Sequence, residues 1–327
     1  MRALVCYDPI GLDGLRLDAV PTPEPGPGEV RIRVAAAGLN FADTLIVRGK
    51  YQERPEPPFV PGFEVAGTVD ALGPGVAGPT PGQRVIAALD RGGFAEFALA
   101  RAADVVPLTD TIDDVAAAGF PIAYGTSHGA LRWRADLQPG ETVVVHGAAG
   151  GVGLTAVQCA KALAARVLAT CRGADKGAVA RAHGADHVLD TDRDDLRAAI
   201  KDLTGGRGAE VVYDPVGAPV FEASLRGLAP GGRWLVIGFA GGPPPAIPAN
   251  ILLVKNLSVH GFYWGAYRSS DPARVRQGLA ECLRWQVEGR LRPHVGQVLP
   301  FERWREGLEL LLARASTGKV VLTLADP

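Results

Sequence analysis

The chain is poor in features that would give an immediate functional reading. It has only four cysteines, Cys6, Cys159, Cys171 and Cys282. They are far apart and form no Cys-x-x-Cys pair, which argues against a disulfide framework and against a zinc site built from cysteine pairs. Charge is nearly balanced, with 34 basic and 35 acidic side chains. No basic stripe interleaved with aromatics is present, so nucleic acid is not an expected partner. No apolar run is long enough to span a bilayer, and Asp8, Pro9 and Gly11 interrupt the N-terminus before a signal-peptide core can form. The expectation is a cytoplasmic protein without a membrane partner. Internal repeats and low-complexity segments are also missing.

What the chain does have is length and punctuation. Its 327 residues suit two domains. In the first third, Gly, Pro and Asp separate short apolar runs at Arg2–Cys6, Val30–Ala36, Glu64–Ala71, Arg84–Ala88 and Ala95–Ala100. That pattern reads as β. From about residue 122 strand-like and helix-like runs alternate. Strands are expected at Thr142–His146, Arg166–Thr170, His187–Leu189, Glu210–Tyr213, Arg233–Gly238 and Leu257–Gly261. Helices are expected at Gly151–Ala164, Asp175–His183, Asp194–Leu203 and Val220–Leu228, with two more at Pro272–Glu288 and Phe301–Ala313. Alternation of this kind predicts an α/β fold with a doubly wound parallel sheet. The expected division is a β-rich domain over 1–121 and 294–327 and a dinucleotide-binding domain over 122–293.

The strongest motif is the turn Ala148-Ala149-Gly150-Gly151-Val152-Gly153, entered by a strand and left by a helix. Gly150, Gly151 and Gly153 let the main chain approach a pyrophosphate, and the helix start offers free N–H groups to the anion. Ala148 stands where the usual pattern has its first glycine. An NAD site wants a carboxylate at the tip of the following strand. Here that strand runs into Cys171, Arg172, Gly173, Ala174, Asp175 and Lys176. Arg172 and Lys176 suit a 2′-phosphate, so the expected cofactor is NADP(H). Asp175 falls in the first turn of the next helix, where a capping role accounts for it.

Gly38-Leu39-Asn40-Phe41-Ala42-Asp43, Pro61–Gly67 (PGFEVAG) and His146–Gly153 (HGAAGGVG), together with Gly184–His187, Tyr213–Gly217, Lys255–Ser258 and Gly318–Val321, resemble the medium-chain dehydrogenase/reductase superfamily. The closer likeness is to its zinc-free NADPH:quinone oxidoreductase branch, and it covers essentially the whole chain. It implies a GroES-like catalytic domain, a Rossmann domain and a site in the cleft between them. Zinc-dependent relatives carry Cys where this chain has Asn40 and His where it has Phe63. Neither residue replaces a thiolate or an imidazole as a zinc ligand, and Val85–Phe97 contains no cysteine for a structural zinc lobe. No metal is therefore expected, and simple alcohol oxidation is disfavoured.

The resemblance further implies that Asn40 and Tyr51 serve catalysis. Asn40 would hydrogen-bond the acceptor oxygen or the nicotinamide ribose, and Tyr51 would donate a proton or a hydrogen bond. Phe262 and Trp264 would line the substrate side, with a core or dimer-contact role as the alternative. Thr126, Gly150, Gly151, Val152, Gly153, Arg172, Lys176, Val216, Phe239, Ala240 and Arg314, with Asn40, would contact the cofactor. Two departures stand out: Thr191 and His128 occupy positions where the branch commonly has Tyr. The implied partner is a small electrophilic molecule. A quinone is the first reading, an enone or enoyl thioester the second, and a non-catalytic NADPH-binding protein the third. By analogy, the Leu257–Gly261 strand implies a homodimer.

Overall fold

The computed structural model describes residues 1–324. They fall into two compact units. One holds Met1–Ile122, Ser270–Ala280 and the chain from Pro293 onward; the other holds Ala123–Ser269 and Glu281–Arg292.

The first unit contains strands β1 (Arg2–Cys6), β2 (Leu15–Ala19), β3 (Glu29–Leu39), β4 (Glu64–Leu72), β5 (Arg84–Ala88), β6 (Phe97–Arg101) and β7 (Val105–Pro107), with helices α1 (Phe41–Ile46) and α2 (Asp114–Ala118). In the second unit and the segments around it lie α3 (Pro121–Gly129), β8 (Thr142–Val145), α4 (Gly151–Ala162), β9 (Arg166–Cys171), α5 (Ala174–Ala182), β10 (His187–Asp190), α6 (Leu196–Leu203), β11 (Ala209–Asp214), α7 (Ala218–Gly227), β12 (Leu228–Val236), α8 (Ala249–Lys255), β13 (Ser258–Gly261), α9 (Trp264–Ser270) and α10 (Pro272–Val287). The chain then returns to the first unit as β14 (Val295–Pro300), α11 (Trp304–Leu312) and β15 (Lys319–Thr323). Three of the four unit boundaries fall inside helices, in α3, α9 and α10, and the fourth, after Arg292, falls in the loop before β14. Sequence punctuation marks loops, which is why Ser270–Ala280 lies outside the unit expected for it.

In the first unit a mixed sheet runs in the order β14-β15-β3-β4-β5-β7, and β6 also pairs with β3. Strand β3 is its spine: Ile32 lies opposite both Val69 and Ala98. Its alternate side chains, Val30, Ile32 and Val34, are buried with Val65, Val85, Phe94 and Leu308 in one core. Two registers matter for the site. Val320 pairs with Leu39, and Ala37 pairs with Val65. Together they set Lys319 and Glu64 beside Asn40.

The second unit holds a six-stranded sheet in the order β10-β9-β8-β11-β12-β13, every pair parallel. Counted from β8 this is the order 3-2-1-4-5-6, whose switch point lies between β8 and β11. Val143, Val144 and Val145 are fully buried, as expected of a strand covered on both faces. Several elements give little sequence signal. Strand β12 begins at Leu228, five residues before the expected start, because Gly231 and Gly232 read as a break. Helices α8 and α9, at 7 residues each, are too short for a clear helical period.

Candidate active site

The dinucleotide turn is built from main chain. Gly147 leaves β8 with φ +57°, so the residue that makes the tight turn is Gly147, one place before the Ala148 of the motif. Ala148 is buried, and its N–H donates to Thr170 O at 3.0 Å, tying the turn to β9. Gly150 N donates to Gly147 O at 2.9 Å, and Gly150 is the N-cap of α4. The first i→i−4 bond of that helix is Leu154 N to Gly150 O, at 2.8 Å. The N–H groups of Gly151, Val152 and Gly153 therefore lie ahead of the helical ladder and sum to a positive end. A Cβ on Gly153 would fall 2.1 Å from Gly147 O. Glycine there is the condition for the helix to start this close to the strand.

The loops beside the turn are tied to one another. After β11, Asp214 Oδ1 accepts the N–H groups of Val216 at 2.8 Å and Gly217 at 2.9 Å. Ala240 N donates to Pro215 O at 3.1 Å and Gly241 N to Val216 O at 2.7 Å. Val216, Phe239 and Ala240 are thus held together after β11 and β12, and Phe239 is 40% exposed. Thr126 is half-buried on α3. Its neighbour Ser127, which sequence reasoning missed, places it: Ser127 Oγ donates to Val152 O at 3.0 Å and meets Thr155 Oγ1 at 2.8 Å and the Tyr213 hydroxyl at 3.1 Å. These contacts pin α3 to the first turn of α4. Arg172 stands exposed at the end of β9, and Lys176 lies in the first turn of α5. The turn, the switch point and these two cations fit a dinucleotide with a phosphorylated ribose.

A different kind of site lies in the first unit. Asn40 follows β3 and opens α1; its N–H donates to Asp43 Oδ2 at 2.7 Å. Its side-chain Nδ2 donates to Glu64 Oε1 at 2.9 Å and to Gly38 O at 3.3 Å. Lys319 Nζ donates to Asn40 Oδ1, Glu64 Oε1 and Leu39 O, each at 2.7 Å. An ammonium only donates and a carboxylate only accepts, so the amide orientation of Asn40 is fixed. Both of its N–H bonds are committed within the fold, and an oxygen arriving at Asn40 meets no uncommitted donor from it. Glu64 Oε2 accepts Ile122 N at 2.8 Å. A Cβ on residue 38 would lie 2.6 Å from Glu64 Oε1, so Gly38 makes room for the carboxylate. The Lys319–Glu64 pair is buried, with side-chain exposures of 8% and 0%. Burial pushes the carboxyl of Asp43 up to about 8, against the N–H bonds from Asn40 and Gly62 and the nearby Lys319 charge, with the Glu64 carboxylate adding to the rise.

Tyr51 is half-buried beside this cluster's core, its ring 5.3 Å from that of Phe63, which is 6% exposed. Among the described residues, no group of three or more His, Cys, Asp or Glu is arranged to hold a metal ion. The aromatic segment is packed. Phe262 is 6% exposed against Trp133 and Tyr267, and Trp264 is 4% exposed with its ring over Gly125. Neither ring offers an open wall for a flat molecule, and the core role describes both. His128 is buried between Trp133 and Trp285, with Nε2 2.8 Å from Glu281; burial holds its pKa down although Glu281 acts the other way. Arg314, at φ +53°, follows α11 in the first unit.

Two family models match the chain. Residues 26–110 match the alcohol dehydrogenase GroES-like domain, and residues 151–283 match the zinc-binding dehydrogenase family. The quinone oxidoreductase-like protein 2 homolog of Nematostella vectensis is 37% identical over 98% of this chain and 88% of its own length. The chain belongs to the quinone oxidoreductase branch of the medium-chain dehydrogenase/reductase superfamily. It is an oxidoreductase, with a GroES-like domain in its first unit. Two solved members of the family superpose on it closely. Quinone oxidoreductase from Thermus thermophilus, also determined as its complex with NADPH, is 37% identical with a TM-score of 0.87 over 99% of this chain and 100% of that one. The Escherichia coli enzyme complexed with NADPH is 29% identical, with a TM-score of 0.92 over the same shares.

Among the described residues no helix is long and apolar enough to cross a membrane.

Proposed function

We propose that this chain uses NADPH to deliver a hydride to a quinone, without a catalytic metal. The observation that carries the reading is the end of β9. In a sheet of the 3-2-1-4-5-6 order, β9, the strand that follows the glycine turn and its helix, is followed directly by Arg172 with Lys176 four residues on, where an NAD site has a carboxylate. Relatives solved with NADPH support the same choice.

On this reading the N–H groups of Gly151, Val152 and Gly153 hold the pyrophosphate, and Arg172 and Lys176 hold the 2′-phosphate. Thr126, Val216, Phe239, Ala240 and Arg314 complete the cofactor contacts. NADPH when bound supplies the hydride. The chain must then orient the acceptor and stabilise the negative charge that develops on its oxygen. Asn40 has spent both N–H bonds and its Oδ1 accepts from Lys319, so what it can still offer is the second lone pair of that oxygen, and Tyr51 serves as the hydrogen-bond donor to the acceptor. Phe63 fills its place with a ring packed on Tyr51, which supports chemistry on an acceptor that needs no Lewis acid.

The test is NADPH oxidation with a quinone, an enone and an enoyl-CoA, each with and without a chelator. Quinone turnover insensitive to chelator is expected. Turnover confined to the conjugated alkenes would move the substrate class, absence of turnover with all three would leave a binding protein, and chelator-sensitive turnover would overturn the metal-free reading.

We also propose a cytoplasmic homodimer. The four cysteines are free and buried, in keeping with a reducing compartment. Strand β13 closes the sheet with a single neighbour, and α8 just before it leaves Leu253 77% and Val254 75% exposed. Sedimentation should give a dimer that Leu253→Asp with Val254→Asp converts to monomer; a monomeric wild type would end the proposal.

A further inference from the structure

The end of β9 carries an anion as well as its cations. Asp192 reaches Arg172 Nε with both carboxylate oxygens at 3.2 Å. The loop that carries Asp192 is fastened to the same strand end by three bonds, and a fourth ties Asp192 within the loop. Thr191 N donates to Cys171 O at 2.9 Å and its Oγ1 to the same oxygen at 3.5 Å. Asp190 Oδ1 accepts Gly173 N at 3.3 Å and Asp192 N at 3.1 Å. Asp192 is therefore placed against Arg172 by main-chain geometry. Its backbone role survives loss of its charge, because its N–H, not its carboxylate, makes the bond to Asp190.

We propose that Asp192 is a counter-anion for Arg172, which must release the guanidinium to a 2′-phosphate, so that Asp192 sets how strongly the site prefers NADPH over NADH. This rests on the assignment of Arg172 and Lys176 to the 2′-phosphate. The physical case has two parts. The carboxylate and the phosphate compete for one guanidinium fork, which binds either anion well. A carboxylate left beside a bound phosphate also repels it, and at an exposed site that repulsion is modest and screened by salt. The pair itself is exposed, 69% for Arg172 and 55% for Asp192, so breaking it costs little. The result is a brake on NADPH, not a block, and NADH, lacking the phosphate, does not feel it.

The test measures Kd for NADPH and NADH by quenching of protein fluorescence. The proteins are the wild type, Asp192→Asn, the double variant Arg172→Ala with Lys176→Ala, and Asp202→Asn. Asp202 is an exposed carboxylate on α6 and controls for net charge. Asp192→Asn should tighten NADPH about three- to tenfold and move NADH less than twofold, and the gain should shrink as salt is raised. Asp202→Asn should change neither ratio. The double variant should weaken NADPH alone. If it does so while Asp192→Asn leaves NADPH unchanged, or tightens NADH equally, the counter-anion role falls and the 2′-phosphate assignment stands. If the double variant weakens both cofactors alike, that assignment falls and the role of Asp192 falls with it.

Discussion

At the glycine turn the groups that face a ligand are main-chain amides; around Asn40 they are side chains. The turn is made of residues adjacent in sequence, from Gly147 to Gly153, and its key contact is backbone against backbone. The cluster draws Asn40, Glu64 and Lys319 from three strands or their ends, with Lys319 279 residues from Asn40. A turn of this kind needs only the right residue types in order. A cluster of this kind needs correct registers at β15 on β3 and β3 on β4, and then balanced charge in a place without water. The first should respond to added volume and ignore charge. The second should do the reverse.

The largest effect is expected in the cluster. Lys319→Met keeps the stem and removes the ammonium, leaving Glu64 as a buried, uncompensated carboxylate. A loss of about 3–5 kcal/mol in unfolding free energy is expected, read by denaturant titration. Adding Glu64→Gln to Lys319→Met should recover part of that loss, because the stranded charge is gone. Additive losses would show that the pair is not coupled and that the cluster is merely packed.

Next comes the turn. Gly153→Ala forces a Cβ to 2.1 Å from the carbonyl oxygen of Gly147, a backbone atom with no side-chain freedom to yield. A loss of about 2–3 kcal/mol is expected, together with weaker cofactor binding, since α4 must back away from β8. Thermal unfolding that matches the wild type would break the claim that close backbone approach fixes this turn.

A further effect appears as a slope with pH, not as a loss at one pH. Asp43 holds its proton more tightly in the folded chain, at about 8, than the ordinary carboxyl value of 3.8. Its contribution is fully present below the unfolded value and is lost as pH rises through the folded one. Unfolding free energy should therefore fall between about pH 4 and 8, and Asp43→Asn should flatten that fall. An unchanged slope in the variant would place the titration elsewhere.

Much of this architecture was legible in the chain. The alternation after residue 122 predicts the parallel sheet because strands buried on both faces must be apolar throughout, as Val143–Val145 are. The glycines of the turn are legible because backbone geometry is a local demand. Less legible were the residues whose roles depend on what the fold brings near. Glu64 and Lys319 were visible only as letters inside PGFEVAG and GKVV, and nothing local marks them as partners. Phe262 and Trp264 read as a substrate wall because aromatic residues serve both purposes; burial against Trp133, Tyr267 and Gly125 decides between them. Asp192 lies two residues past the end of β10, and only the pairing of β10 with β9 makes it a neighbour of Arg172.

The sequence by itself determined the βαβ frame, the helix start at Gly151 and the cationic end of β9, because these depend on short-range periodicity and on which side chains a turn tolerates. Only the tertiary structure decided that Asn40 is held by Lys319 and Glu64 with both N–H bonds spent, and that Arg172 stands against a carboxylate. Both depend on strand register, which brings together residues that the chain keeps apart, and the state of a charge is set by its neighbours in space.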